Sequence, residues 1–160
     1  MQGTLLGNHE LFLNIVDSNF NDTTSNGLYD QFKTYQINGK RYFGGKIYLN
    51  SLNLAGAAKE FTTVILYHEV LHAYLSKIGS GLTQDQHENI ATNYRAMISN
   101  ALMELFPGLS ETNANSLSWE GLQYTGIWAL KQKNEQDAIA LRNYKYRKGK
   151  LGDLCLAFEE

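Results

Sequence analysis

The first fifty residues carry the short apolar and alternating runs that predict β-strands. Three segments have this character, residues 10–16, 32–37 and 41–50. A polar loop at 17–27 follows the first of them, and Asn38-Gly39 between the other two favours a two-residue hairpin turn. Gly44 and Gly45 interrupt the last strand, which indicates a bulge or a close approach of another group to the backbone. This part is therefore predicted to form a small mixed sheet.

After residue 56 the apolar positions change to helical spacing. Residues 57–78 are apolar on most sides and stop before Gly79, so this helix is expected in the centre of the fold. A second helix is predicted over residues 86–106, ended by Pro107-Gly108. Two further helical stretches are predicted, over residues 110–121 and 127–146. Strands followed by helices predict the α+β class, with a helical C-terminal part.

The predicted central helix contains the sequence His68-Glu69-Val70-Leu71-His72. Residues four apart project from the same face of a helix, so both imidazoles can bind one metal ion. Glu69 follows the first histidine and can act as general base on a zinc-bound water, passing its proton to the leaving amine. The alternative is a pair of core histidines beside a glutamate, which would be costly to bury without a metal.

A catalytic zinc site needs a third protein ligand and one open position. The other histidines are His9 and His87. His87 begins the second predicted helix and shares its inward face with Tyr94, so this helix can fold back and present it to the metal. The alternative for His87 is an exposed position near the helix N-cap. Glu88 is the second candidate ligand, and Glu104 and Glu111 are weaker carboxylate candidates.

The run His68 to Leu75, followed after eleven residues by His87, resembles SprT-like zinc metallopeptidases, including the Spartan type. In that family the HExxH helix commonly continues with Ala-Tyr, as it does here at Ala73 and Tyr74. The resemblance implies a zincin-like fold, in which the sheet packs on the HExxH helix and a second helix carries a ligand. It implies Zn²⁺ held by His68, His72 and His87, with Glu69 as general base. It covers residues 57–106.

Two departures bear on the substrate. The third histidine stands in Gln86-His87-Glu88 rather than between glycines, and the cysteine-rich zinc ribbon of many members is absent, which weakens any transfer of a DNA-linked substrate. The stretches 87–94 and 119–122 are similar to metallopeptidase domains at the C-terminal ends of large secreted bacterial proteins. That similarity implies an effector or toxin domain, secreted or delivered within a larger protein, with a protein or peptide substrate and an inhibitor or immunity protein as partner.

Groups around the open zinc position are harder to assign. In zincins a Tyr, His or Arg there often stabilises the oxyanion. Tyr94 is the first candidate, because it stands two turns after His87, and Tyr124 and Tyr74 follow; packing is the alternative for each. Trp119 either lines the groove or, as we favour, anchors the third helix to the core.

Strand 41–50 is expected to be an edge strand that pairs with extended substrate. On this hypothesis, which rests on fold analogy, Tyr42, Gly44 and Ile47 would border the cleft.

Composition narrows the remaining classes. The chain has 160 residues, a net charge of −2 and a pI near 6.1, which favours a single domain at 1–160 and disfavours nucleic-acid binding. The basic residues cluster only near the C-terminus, at Arg142, Lys145, Arg147, Lys148 and Lys150. The one cysteine, Cys155, excludes an internal disulfide and is expected to be a buried, inert thiol. No apolar run predicts a membrane span and no signal peptide is visible, although the domain could come from a longer chain.

The sequence thus predicts a zinc-dependent metallopeptidase that hydrolyses peptide bonds through a water activated by Glu69. Two alternatives remain open. One is a zincin-fold binding domain that holds structural zinc without turnover. The other is a hydrolase of another amide, such as cell-wall peptide.

Overall fold

The computed structural model describes residues 9–18, 25–79 and 83–154. Its three strands are β1 (His9–Ser18), β2 (Gly27–Ile37) and β3 (Lys40–Asn50). They form a sheet in the order β1-β3-β2, in which β1 pairs parallel and β2 antiparallel with β3. Asn38 and Gly39 have φ values of 50° and 75° and connect β2 to β3, as the hairpin prediction requires. The small mixed sheet is confirmed.

The paired glycines in β3 mark a close approach. A methyl group on Gly45 would lie 2.4 Å from Cε2 of Tyr29, so the tyrosine ring of β2 needs the space that a side chain would fill. The bulge itself lies in the neighbouring strand, where the register shifts between Gln31 and Lys33. Glycine at position 45 of β3 therefore leaves space for the ring of Tyr29, which packs across β3 from β2.

The expectation that strand 41–50 is an edge strand is wrong. β3 is the central strand of the described sheet, with β1 on one side and β2 on the other. Its backbone N–H and C=O groups are consequently used by two neighbours, and an extended substrate cannot be added there. The sequence of the strand contains no signal for this arrangement, because it results from the long-range pairing of β1.

Seven α-helices and one π-helical turn follow the sheet in the described residues. They are α1 (Ser51–Leu54), α2 (Lys59–Lys77), α3 (Thr83–Asn89), the π-helical turn (Ile90–Tyr94), α4 (Arg95–Leu105), α5 (Glu111–Leu117), α6 (Gly126–Ala129) and α7 (Lys133–Arg147). The structure is therefore α+β, with a mostly helical remainder. Of the two predicted C-terminal helices, 110–121 ends earlier, as α5, and 127–146 is divided by a turn into α6 and α7.

Helix α2 is central, as predicted from its apolar sides. Phe61 and Leu75 are fully buried, and Val64 is nearly so. One side of α2 lies against β2 and β3, and the other contacts α4, α5 and α7. The sheet presents Ile47 and Leu49 to this core at alternate positions, which is the period of a strand with one buried face. This enclosure also buries four polar residues of α2, Glu60, His68, Glu69 and His72.

The predicted helix 86–106 is one continuous path but not one regular helix. It begins earlier, at Thr83, and the π-helical turn at Ile90–Tyr94 separates α3 from α4. A π turn bonds residue i to i+5 and so accommodates an additional residue. Residues beyond it are displaced around the helix axis, and the inference that Tyr94 lies two regular turns from His87 no longer follows.

The C-terminal basic residues do not form one surface. Arg142 lines a cavity between helices, and the charge of Arg147 acts on the carboxyl group of Glu120. Within the described ranges, no helix is long and apolar enough to cross a membrane. Cys155 lies outside the described residues.

Candidate metal centre

Three histidine side chains converge on one point between α2 and α3. The Nε2 atom of His72 lies 3.0 Å from that of His68 and 3.0 Å from that of His87. The Nε2 atoms of His68 and His87 are 3.2 Å apart. His68 and His72 are buried at 6% and 8% exposure, whereas His87 is half-buried. The structure thus brings His87, fifteen positions beyond His72, to the pair that the helix spacing predicted.

Hydrogen bonding alone cannot satisfy this triangle. Each neutral Nε2 atom is either a donor with a proton or an acceptor with a lone pair. Among three such atoms at least two are of the same kind, so at least one of the three contacts sets two donors or two acceptors against each other. A cation at the centre removes the conflict, because all three lone pairs can then point at it.

The separations fit a zinc-sized ion. Zinc–nitrogen bonds of about 2.0–2.1 Å at the tetrahedral angle place two ligand nitrogens about 3.3 Å apart. The observed separations of 3.0–3.2 Å lie just below this value. In the described residues these three histidines are the one group of three or more His, Cys, Asp or Glu side chains close enough to share an ion.

His72 is held in the orientation that a metal ligand needs. Its Nδ1 atom donates to Oε1 of Gln86 at 2.8 Å, and Nε2 of Gln86 donates to the hydroxyl of Ser76 at 3.2 Å. An amide oxygen can only accept, so Nδ1 carries the proton and Nε2 keeps its lone pair for the metal. Gln86 is buried, and it immediately precedes His87, so α3 supplies both a histidine of the cluster and the residue that orients another.

His68 is held by packing instead. Its Nδ1 atom is buried and has no hydrogen-bond partner among the described residues. Gly121, with a φ of +79°, lies against the ring so closely that a methyl group there would be 2.8 Å from Cε1 of His68. Only glycine allows both this backbone conformation and this contact.

Burial keeps the three imidazoles in the neutral form that binds metal. Desolvation lowers the pKa of His68 well below its ordinary value, and the neighbouring His72 and His87 lower it further. Desolvation also lowers the pKa of His72, whereas the hydrogen bond that His72 donates to Gln86 raises it. The pKa of His87 is lowered by desolvation and by His72, and Glu88 opposes the change. Lone pairs are therefore available at neutral pH.

Glu69 is a buried carboxylic acid on the same helix, 7% exposed. Burial raises its pKa to about 7, although a hydrogen bond from the backbone N–H of Tyr29 favours the ionised form. The start of β2 packs against it, since a methyl group on Gly27 would lie 3.0 Å from Cγ and 3.1 Å from Oε1 of Glu69. A carboxyl group with a pKa near neutrality can both accept and release a proton at physiological pH.

The alternative carboxylate ligands lie elsewhere. Glu88 accepts a hydrogen bond from the backbone N–H of Gly126 at 2.6 Å, and so holds the start of α6. Glu104 and Glu111 are exposed, and none of the three belongs to the histidine cluster. His87 is the better candidate for a third ligand, because its ring nitrogen lies in the triangle.

The tyrosine candidates occupy different surroundings. Tyr94 donates its hydroxyl hydrogen bond to Tyr74, and the two ring centroids are 6.2 Å apart. Tyr124 is 87% exposed and lies in the loop before α6. Its backbone carbonyl accepts a hydrogen bond from the side chain of Gln84 in α3. An oxyanion role for Tyr94 stays a prediction. Trp119 is 2% exposed and belongs to the core, as expected for an anchor.

A polar network beside the cluster was missed by sequence reasoning. The carboxylate of Glu120 accepts hydrogen bonds from the side-chain amides of Asn26 at 3.1 Å and Asn143 at 3.2 Å. It therefore ties the segment before β2 to α7, one residue before the glycine that packs on His68. Glu120 and Gly121 stand in the Trp119–Leu122 motif, but nothing in that motif indicates their partners.

Comparison of the chain with protein-family models, curated proteins and solved structures gave no match. The class of the protein is therefore described from its fold and its site alone. It is an α+β protein with a three-stranded sheet, a mostly helical remainder and a buried cluster of three histidines that could hold a metal ion.

Proposed function

We propose that the chain is a zinc-dependent metallopeptidase. The observation that carries the proposal is the convergence of three histidine Nε2 atoms, with the buried Glu69 next to the first of these histidines on α2. A site that only held zinc for stability would not need a buried acid next to its first ligand. Half-exposure of His87 leaves one side of the cluster accessible, as a catalytic zinc with an open fourth position requires.

Zinc is the metal that these donors favour. Three neutral imidazoles with no carboxylate in the cluster suit a borderline-soft ion that accepts tetrahedral geometry, and they disfavour Mg²⁺ and Ca²⁺, which prefer oxygen ligands. Bound zinc would lower the pKa of water and polarise the carbonyl oxygen of the substrate.

Glu69 supplies the proton transfer in this proposal. Its carboxylate takes a proton from the water whose oxygen attacks the carbonyl carbon of the scissile bond. The carbon–nitrogen bond then breaks, and Glu69 gives the same proton to the nitrogen of the leaving amine. Its pKa of about 7 suits both steps, and a bound cation would favour the ionised, proton-accepting form.

An extended peptide would bind along β2 rather than β3. β2 is an edge strand of the described sheet, and its first residues, Gly27 and Tyr29, lie against Glu69. Strand addition at such an edge fixes a peptide by backbone hydrogen bonds. The zincin-like fold, the SprT-like assignment and an effector role against a protein or peptide target belong to this proposal and rest on the motif residues 68–75 and His87.

Exchange of the general base tests the proposal. Zinc content and cleavage of a proteome-derived peptide library are measured for the wild type, Glu69→Gln and the exposed control Glu104→Gln. We expect about one zinc per chain in all three, and a fall in kcat of at least a hundredfold in Glu69→Gln alone, because general acid–base catalysis contributes about 10²–10⁴.

Three outcomes would contradict it in different ways. Full activity of Glu69→Gln would exclude the mechanism. Zinc retained at full occupancy in His87→Ala would exclude the third ligand. Bound zinc without cleavage of any peptide by the wild type would leave the binding domain or another amide hydrolase as the function.

A further inference from the structure

A cavity of about 440 Å³ opens among the helices between α5, α7 and the first residue of α4. Three cationic side chains line it, Arg95, Lys131 and Arg142, together with one acidic side chain, Glu135. At neutral pH these four groups sum to a charge of +2. The cavity shares no residue with the histidine cluster, so it is a separate feature of the molecule.

Arg95 stacks on an aromatic ring and makes no ion pair in the described residues. Its guanidinium carbon lies 3.5 Å from the centroid of the Trp119 ring, so the plane of the group stacks on the indole. Its Nε atom is buried without a hydrogen-bond partner, and no carboxylate of the described ranges lies within ion-pair distance. Desolvation lowers its pKa to about 10, so it stays charged at neutral pH.

The other two cations differ in their pairing. Lys131 lies 5.0 Å from the same Trp119 ring and is paired with Glu135. Arg142 has no ion-pair partner in the part of the chain that the structure describes. Lys131 is thus paired by direct contact, whereas the two guanidinium groups make no ion pair in the described residues, although the charge of Glu135 acts on Arg95. Because the Nε atom of Arg95 is closed to solvent, a ligand in the cavity would be bound by the outer N–H groups of the two guanidiniums.

We propose that this cavity binds a phosphate-class oxyanion, either free phosphate or the phosphate group of a monoester. Guanidinium groups recognise phosphate by parallel N–H···O hydrogen bonds, and stacking on Trp119 occupies the face of the Arg95 guanidinium rather than its outer N–H groups. A dianion matches the charge of +2 that the lining carries. Thr112 and Asn115 at the rim add neutral hydrogen-bonding groups.

Calorimetric titration of inorganic phosphate into the zinc-loaded chain at low ionic strength tests the site. We expect saturable 1:1 binding that weakens at least tenfold in Arg142→Gln, because one charge-assisted contact is lost. The matched control is Lys133→Gln on the same helix, which removes the same charge from a side chain that is 80% exposed and outside the cavity. Lys131→Gln is the second cavity variant if Arg142→Gln does not fold.

Further ligands separate the possible sources of the anion. Phenyl phosphate binding more tightly than inorganic phosphate assigns the cavity to monoesters, and the reverse order assigns it to free phosphate. Either order supports the proposal if acetate, a single charge, binds at least tenfold more weakly. Absence of saturable binding, equal losses in Arg142→Gln and Lys133→Gln, or loss of phosphate binding in His87→Ala would overturn it.

Discussion

The two buried histidines of α2 are positioned by different physical means. His72 is oriented by a hydrogen bond to Gln86, which fixes its tautomer, whereas His68 has no partner on Nδ1 and is confined by the backbone of Gly121. The hydrogen bond orients the His72 ring because hydrogen bonds are directional, whereas the close contact restricts the His68 ring sterically. The second arrangement depends on the absence of a single methyl group.

Gly121→Ala should therefore weaken zinc binding. The added methyl group would lie 2.8 Å from Cε1 of His68, and one of the two groups must move. Because the ligand nitrogen moves with the ring, we expect zinc affinity to fall at least tenfold in a competition titration against a chelating dye.

Gly56→Ala is the matched control for this substitution. Gly56 has a φ of +71°, close to that of Gly121, but a methyl group there would meet nothing within 4 Å. Both variants lose about 1–2 kcal/mol of stability from the left-handed backbone conformation. Only Gly121→Ala should lose zinc affinity, and equal affinities in the two variants would contradict the role of the glycine.

At the scale of elements, the loop between α5 and α6 joins three environments. Trp119 supports the cationic cavity, Glu120 accepts hydrogen bonds from Asn26 and Asn143, and Gly121 packs on His68. These three consecutive residues lie in turns closed by backbone hydrogen bonds to the third residue before, and Gly121 has a φ of +79°, which an α-helix does not allow. The end of α5 at Leu117, earlier than predicted, makes this arrangement possible.

Glu120 should make the stability of the protein depend on pH. Burial raises its pKa, although Asn143, Arg147 and other neighbours lower it. The folded protein therefore holds this proton more tightly than the unfolded chain does. The stabilisation is fully present below the unfolded pKa of about 4.3 and is lost as pH rises through the raised folded pKa.

Replacement by glutamine removes this proton equilibrium. Asn26 and Asn143 each have a buried Oδ1 atom without a partner, so rotation of their amides can accommodate the new NH₂ group. In urea unfolding at pH 4.5 and pH 8, we expect the stability of the wild type relative to Glu120→Gln to decrease as pH rises. All other titrating groups cancel in this difference, and a constant or increasing difference would contradict the assignment.

At the scale of the whole molecule, the histidine cluster connects α2 to α3 across the loop that separates them. An ion bound there stabilises the folded state by RT ln(1 + [L]/Kd), which is about 2.7 kcal/mol at a hundredfold excess over Kd. Removal of zinc with a chelator should accordingly lower the Tm by about 5–10 °C in a thermal melt.

His87→Ala provides the control for this effect. The variant lacks one ligand, so its Tm should respond little to zinc or to the chelator. A wild-type Tm that is the same with zinc and with chelator would show that the cluster does not hold the ion in the folded state.

The features that followed from the sequence are local. Positions 68 and 72 lie on one face of any helix, and Asn38-Gly39 favours a tight turn wherever it occurs. The burial of α2 could be read from its apolar sides, and the expectation that His87 reaches the pair agrees with the observed triangle. All of these except the position of His87 are properties of short segments, in which each residue's neighbours are known from its position.

The remaining features depend on contacts between distant segments. β3 became central because β1, more than twenty residues earlier in the chain, pairs with it. The π-helical turn moved Tyr94 away from its predicted phase, and the partners of Gln86, Glu120 and Gly121 come from other elements. The spacing of a sequence does not encode such contacts, because they arise only when the core packs and each polar group must find the partner nearest to it.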